Sequence, residues 1–230
     1  MPENKIKPTR PGRFHNAGPG NLGPEDFSRW YRAECAAAWE GVDLRVLSSI
    51  AGELLKVRDL GRKVLVMGNG GSAAISSHIA VDFAKTARVP GRPLIRSVAL
   101  TDNVEFLTAV ANDLSFDDVF VAKMEALLEP GDLALLISGS GNSKNLVKAA
   151  RYAKSRGAKT VALLGFDGGK LKSLVDLALV VPSDQYGVIE ELHMGVGHIL
   201  TFYVRQLESR PTRRAPARPR ARPRPSQPRG

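Results

Sequence analysis

Residues 68–82 read GNGGSAAISSHIAVD, and the residues just upstream, 63–67, read KVLVM. The upstream run is short, apolar and β-branched, as a buried strand requires. Gly68, Gly70 and Gly71 interrupt that pattern, and Ser72 opens a segment of helical composition. A strand, a glycine turn and a helix start make an anion cradle. Glycines allow backbone N–H groups to approach an anion closely, and the unpaired N–H groups of a helix N-terminus favour negative charge. One helical turn further on, His78 and Asp82 stand at i, i+4 and share one face of the predicted helix. An anion hook followed by a metal-ligating or acid/base pair points to a site for small phosphorylated molecules.

Outward from this stretch, strands and helices alternate. Pro24, followed by Glu25 and Asp26, begins a helical pattern that runs to about residue 59, with Gly41 and Gly52 as candidate breaks. This long apolar segment exceeds what one domain needs to cover, which suggests an oligomer contact. After the strand at 63–67 and a helix at 72–86, a second strand is expected at 94–100. Helices follow at 103–111 and 117–128, and a third strand at 132–137. SGSGNS, residues 138–143, is a second Ser/Gly loop, and it leads into a helix ending near Arg156 with Gly157 beyond it. Strands at 160–164 and 177–181, separated by the Asp167-Gly168-Gly169 turn, and a last helix at 186–208 complete the body. The alternation predicts an α/β fold, a three-layer αβα sandwich on a five-stranded parallel sheet, with a long N-terminal helical segment. In such sheets ligands sit beyond the carboxyl ends of the strands, where both glycine-rich loops fall.

The net charge of +10 is confined to the ends. Residues 210–230 hold eight arginines and no acid, and residues 1–23 supply a further +3, which leaves 24–209 at −1. The body therefore offers no basic face for nucleic acid, and any such contact would fall to the tail by charge alone. The expected organisation is a disordered leader at 1–23, one domain at 24–209 and a disordered Arg/Pro tail at 210–230. The single cysteine, Cys35, excludes an internal disulfide and fits a reducing cytoplasm. No apolar run approaches the ~18 residues of a membrane span.

The first loop taken alone fits the loose GxGxx(G/A) dinucleotide pattern, but no acid lies between Asp82 and Asp102 to hold a ribose. No Gly-Lys-Ser/Thr follows it, which excludes a Walker A loop. A ligand-free turn remains open for a lone glycine loop. The second loop shifts the balance, because Ser138, Ser140 and Ser143 place three hydroxyls ahead of a helix start, which suits a phosphate monoester. For His78 and Asp82 the alternative is a simple surface pair. His193 and His198 lie in an apolar helix and each has the alternative of a satisfied core histidine.

GNGGSAA, TDN at 101–103, AND at 111–113, SGSGNS, GFDGG at 165–169 and EELHMGVGH in the last helix together resemble the sugar isomerase (SIS) family. The resemblance covers about residues 25–208 and is strongest to the phosphoheptose isomerases, which convert sedoheptulose 7-phosphate to D-glycero-D-manno-heptose 7-phosphate. It implies that Ser138, Ser140 and Ser143 hold the phosphate, with Asn69, Gly70, Gly71 and Ser72 contributing from the first loop. That serine loop usually reads STSGNS, and Gly139 here replaces the threonine. It also implies a zinc site, or one for another divalent metal, at His78, Asp82, Glu190 and His198. Asp82 stands there for glutamate and Glu190 for glutamine. Asp82 would remove the proton beside the carbonyl and His198 would move protons on the sugar oxygens, while Glu190, Asp102 and Asn103 would contact the sugar. On a helical wheel Glu191 aligns better with His198 than Glu190 does, so the choice of Glu190 rests on the resemblance. A homotetramer with active sites between subunits is implied as well. The competing reading is a non-catalytic SIS domain, a phosphosugar sensor or a regulator of the kind that binds the replication initiator. The acid at 82 and the histidine at 198 favour the enzyme.

Overall fold

The computed structural model describes residues 19–208 and holds one parallel sheet in the order β2-β1-β3-β4-β5. β1 (Lys63–Gly68) pairs with β2 (Arg96–Ala99) on one side, Val64 opposite Ser97, and with β3 (Leu133–Ser138) on the other, Val64 opposite Leu133. β4 (Lys159–Leu164) and β5 (Leu177–Val180) extend the sheet beyond β3. Strand side chains alternate between faces, so each apolar run feeds two cores. Val64, Val66, Leu133, Leu135 and Ile137 enter one core, and Leu65, Met67, Ala134 and Leu136 enter the other. Both faces are covered, which is why these strands read as continuous apolar runs.

The helices follow local chemistry. α1 (Pro24–Glu40) has proline in its first turn with Glu25 and Asp26 behind it, and it ends at Gly41. α2 (Leu44–Asp59) is capped by Asp43, whose carboxylate accepts from the Arg45 and Val46 N–H groups. The expected break at Gly52 does not occur: α2 runs straight through it, because its buried face, Leu47, Ile50, Ala51 and Leu54, is continuous across that position. α3 (Gly71–Val81) starts at Gly70, whose φ of 54° puts it in the left-handed half of the map that glycine tolerates. The helix expected to reach residue 86 stays α-helical only to Val81 and then widens into a π-turn, Asp82–Thr86.

Beyond it lie α4 (Val104–Asp113), capped by the Asn103 side chain, a 3₁₀ turn at Phe116–Asp118, and α5 (Val119–Leu127). α6 (Lys144–Ser155) is followed by Gly157 at φ 74°. α7 (Gly169–Leu174), a short helix inside a segment read only as a turn, buries Leu171 and precedes α8 (Tyr186–Glu208). β2 is shorter than expected, four residues, because it is the edge strand on the β1 side. No helix among the described residues is long and apolar enough to cross a membrane. The expected tail at 210–230 and most of the leader at 1–23 lie outside the described residues.

One core position carries a pH dependence. His193 on α8 is fully buried, its Nε2 lies 3.0 Å from the Leu164 carbonyl oxygen, and its Nδ1 has no partner. Burial pulls its pKa from 6.5 down to about 4, so the folded chain keeps it neutral with Nε2–H donating. The unfolded chain takes up that proton at a higher pH than the folded one. The His193 contribution is therefore fully present above pH 6.5 and is lost as pH falls from 6.5 towards 4, by at most about 1.4 kcal/mol per pH unit. Urea unfolding across this range is expected to show that loss. His193→Gln, which keeps a donor for Leu164, is expected to flatten it, and equal slopes for the two proteins would refute the assignment.

Candidate active site

The strand order creates a crevice. The chain leaves β1 towards β2 on one side, and it leaves β3 towards β4 on the other, so the loops after β1 and β3 diverge at a topological switch point. Asn69 and Asn145 bridge that opening with two reciprocal amide hydrogen bonds of 2.9 Å. Asn145 also accepts from the Leu146 N–H, so the start of α6 and the glycine loop are held together. Sequence reading assigned Asn69 to the ligand and passed over Asn145, which no spacing signal marks.

A pocket of about 140 Å³ opens between the two loops, lined by Ser72, Ser138, Ser140, Ser143, Tyr186 and Glu190 among others. Ser138 Oγ accepts from the Gly141 N–H at 3.0 Å, and Ser140 Oγ accepts from the Asn142 N–H at 3.3 Å. Both hydroxyls keep their protons for a ligand. Ser143 is the N-cap residue of α6 but makes no side-chain cap bond, which leaves its hydroxyl available. The lining contains no Lys or Arg. Serine hydroxyls and the N-termini of α3 and α6 in this lining are the kind of donors that suit an anion.

The first turns of α8 drop into this crevice. A Cβ at Gly71 would overlap the Glu190 carboxylate, and one at Gly139 would stand 2.8 Å from Tyr186 Cε1. Burial raises the Glu190 pKa. Glu191, the better match on the wheel, points elsewhere: its carboxylate accepts from the Cys35 thiol at 3.5 Å, beside α1. Burial, followed by the contact with Glu191, pushes the Cys35 thiol up as well.

A second cluster forms where α3 meets α8. His78 Nε2 lies 3.3 Å from Asp82 Oδ2, His198 Nε2 lies 3.2 Å from His78 Nε2, and His198 Nε2 lies 3.7 Å from Asp82 Oδ2. Three donors held by one ion at about 2.1 Å in a tetrahedral arrangement stand about 3.4 Å apart. The spacing of the three side chains is compatible with one divalent cation, and all three candidate ligand atoms lie within 4.8 Å of one another. Glu190, expected as a fourth ligand, is not in this cluster and lines the serine pocket instead. Asp82 begins the π-turn, and the Thr86 hydroxyl at the far end of that turn donates to Asp82 Oδ1 at 2.8 Å, fixing the carboxylate. Thr86 was not anticipated, although its i+4 spacing from Asp82 was there to read. His198 is half-exposed and reaches the cluster, whereas His193 is the core histidine. Asp102 accepts from the Ser77 hydroxyl at 2.7 Å, one residue before His78. The Asn103 side-chain Oδ1 caps α4 by accepting from the Phe106 N–H at 2.7 Å.

Residues 41–165 match the family model of the SIS domain, and the chain belongs to that family. Within it, a phosphoheptose isomerase from Chlorobaculum tepidum is 43% identical over 167 residues, which cover 72% of this chain and 80% of that protein. One from Trichlorobacter lovleyi is 39% identical over 160 residues, 70% of this chain and 81% of its own. Among solved structures, phosphoheptose isomerases from Neisseria gonorrhoeae and Francisella tularensis superpose with TM-scores of 0.74 and 0.75 at 31% and 30% identity. Each superposition covers 80% of this chain and 100% of the other.

The donor set makes a direct prediction. With zinc as probe ion, calorimetry on the metal-free chain is expected to show a site that His78→Ala and His198→Ala each abolish. Thr86→Val, which frees the Asp82 carboxylate to turn, is expected to weaken it about tenfold. Zinc binding unchanged in His198→Ala would place the ion elsewhere.

Proposed function

We propose that this chain is a cytoplasmic phosphoheptose isomerase that interconverts sedoheptulose 7-phosphate and D-glycero-D-manno-heptose 7-phosphate. The observation that carries the proposal is the pairing, along α8, of a pocket suited to an anion with a His/Asp/His cluster in a chain 43% identical to a named phosphoheptose isomerase. Ser138, Ser140, Ser143 and Ser72 hold the phosphate, and Gly70 and Gly71 bring the start of α3 close to it. Glu190 and Asp102 accept hydrogen bonds from sugar hydroxyls. Asn103 acts here through the cap it gives α4, which sets the backbone behind Asp102.

Isomerisation requires a proton to move between C1 and C2 while the carbonyl moves the other way. Asp82 takes a proton from C1 of the ketose through Oδ1, and His198 gives one to O2 from Nδ1, since its Nε2 and Asp82 Oδ2 face the other cluster residues; this forms the enediol. The same two groups then remove the O1 proton and return a proton to C2, leaving the aldehyde. His78, Asp82 and His198 would hold a divalent ion, for which zinc is our choice, and when bound it would supply Lewis-acid stabilisation of negative charge on the sugar oxygens. Both histidines are more than two-fifths exposed, and apolar Val81, Ile199, Phe202 and Tyr203 are exposed close by in sequence. That exposed apolar surface supports a homotetramer in which a neighbouring subunit closes the site.

Incubation of the metal-loaded protein with sedoheptulose 7-phosphate in deuterium oxide tests the proposal. The proton spectrum is expected to show an aldose 7-phosphate with deuterium at C2, and His198→Ala is expected to lower the rate at least about 100-fold. Tight binding of the ketose without exchange would overturn the isomerase and favour a sensor.

A further inference from the structure

We infer that Tyr186 is a ligand-contacting, specificity-determining residue: its ring walls the serine pocket in the space that Gly139 leaves free, and its hydroxyl donates to the anion bound there. This rests on the proposed function, in which the serine pocket takes the phosphate.

Gly139 is the first observation. It lies between two pocket serines, and its φ is not positive, so the backbone there accepts any L-residue. What excludes a side chain is Tyr186 alone at close range. An added Cβ would stand 2.8 Å from Cε1 and 3.0 Å from Cδ1 of the ring, with the next neighbour 3.9 Å away. The glycine and the tyrosine are thus one steric unit.

Phe166 is the second. It packs edge-on against the Tyr186 ring, centroids 5.1 Å apart at 65°, and does so from a left-handed backbone at φ 50°. Non-glycine residues rarely adopt that region. Phe166 packs against the ring and Gly139 leaves room for it, so Tyr186 lines the pocket with its ring held by a neighbour.

The chemistry of the lining is the third. Among the described residues no Lys or Arg lines the pocket and Glu190 does, so a phosphate bound there would depend on neutral donors. The Asn69 amide is committed to Asn145. No hydrogen bond within the described residues engages the Tyr186 hydroxyl, which leaves it a phenolic donor in a pocket lined by four serines. A hydrogen bond to a charged oxygen is among the stronger neutral-donor contacts, worth about tenfold or more in affinity.

The test uses the full metal-loaded chain, with two readouts: KM and kcat for sedoheptulose 7-phosphate, and the inhibition constant of inorganic phosphate. Tyr186→Phe is expected to raise both KM and the phosphate constant about tenfold, with kcat within about threefold and an unchanged melting temperature. Gly139→Ala, which pushes the ring aside, is expected to weaken phosphate binding to a similar degree. Adding Tyr186→Ala to it should cost nothing further, because both changes remove one contact. Ser140→Ala serves as the control on the phosphate reading. If Ser140→Ala raises both constants while Tyr186→Phe and Tyr186→Ala leave them within twofold, Tyr186 is only a spacer and the inference falls with the phosphate pocket intact. If Ser140→Ala also has no effect, the phosphate reading fails first and takes the inference with it.

Discussion

The close crossing of α3 and α8 is the contact on which the site depends. Gly197 faces Ile79, where an added Cβ would lie 2.5 Å from the isoleucine Cγ1. The neighbouring residue on each helix belongs to the three-residue cluster: His198 follows Gly197, and His78 precedes Ile79. Gly195 makes the equivalent room for Trp39 of α1, again at 2.5 Å. Each glycine inside a helix costs about 1 kcal/mol relative to alanine. A chain that carries both in α8 accepts that cost for helix axes close enough to set two imidazole nitrogens 3.2 Å apart. The π-turn at Asp82–Thr86 then turns the third ligand towards them, in the kind of local helix widening that recurs at functional sites.

The same helix organises the other half of the site. From His198 back to Glu190 is eight residues, about 12 Å along the axis, and that distance separates a cluster suited to a cation from a pocket suited to an anion. An extended phosphosugar has two chemically different ends, and the two stations match them. The anion station uses serine hydroxyls and helix N-termini in place of lysine or arginine. Neutral donors bind a phosphate through geometry rather than through a long-range field, which suits a body that carries a charge of only −1 between residues 24 and 209. Glu190 beside that pocket has its pKa raised by burial.

Much of this was legible in the sequence, for identifiable reasons. Buried parallel strands are continuous apolar runs, so 63–67 and the later strands announced themselves, and the Gly-rich turn and Ser/Gly loop marked their carboxyl ends. His78 and Asp82 were readable because i, i+4 spacing survives folding. What was not legible depended on tertiary contact. Strand order, and with it the switch point, leaves no local pattern. The placement of Glu190 in the serine pocket, away from the three-residue cluster, is set by the way α8 packs over Gly71 and Gly139. Gly52 read as a break because propensity was weighed without the buried face that carries α2 through it. Tyr186 and Asn145 carry no spacing signal, and each acts through a partner more than 40 residues away.

The most direct test of the two-station account is a crystal structure of the metal-loaded chain with an unreactive seven-carbon polyol 7-phosphate. The account predicts an anomalous metal peak among His78, Asp82 and His198, and phosphorus density within hydrogen-bond reach of Ser138, Ser140 and Ser143 on the same ligand. A phosphate bound away from the serine loop, or a metal bound outside the three-residue cluster, would contradict it.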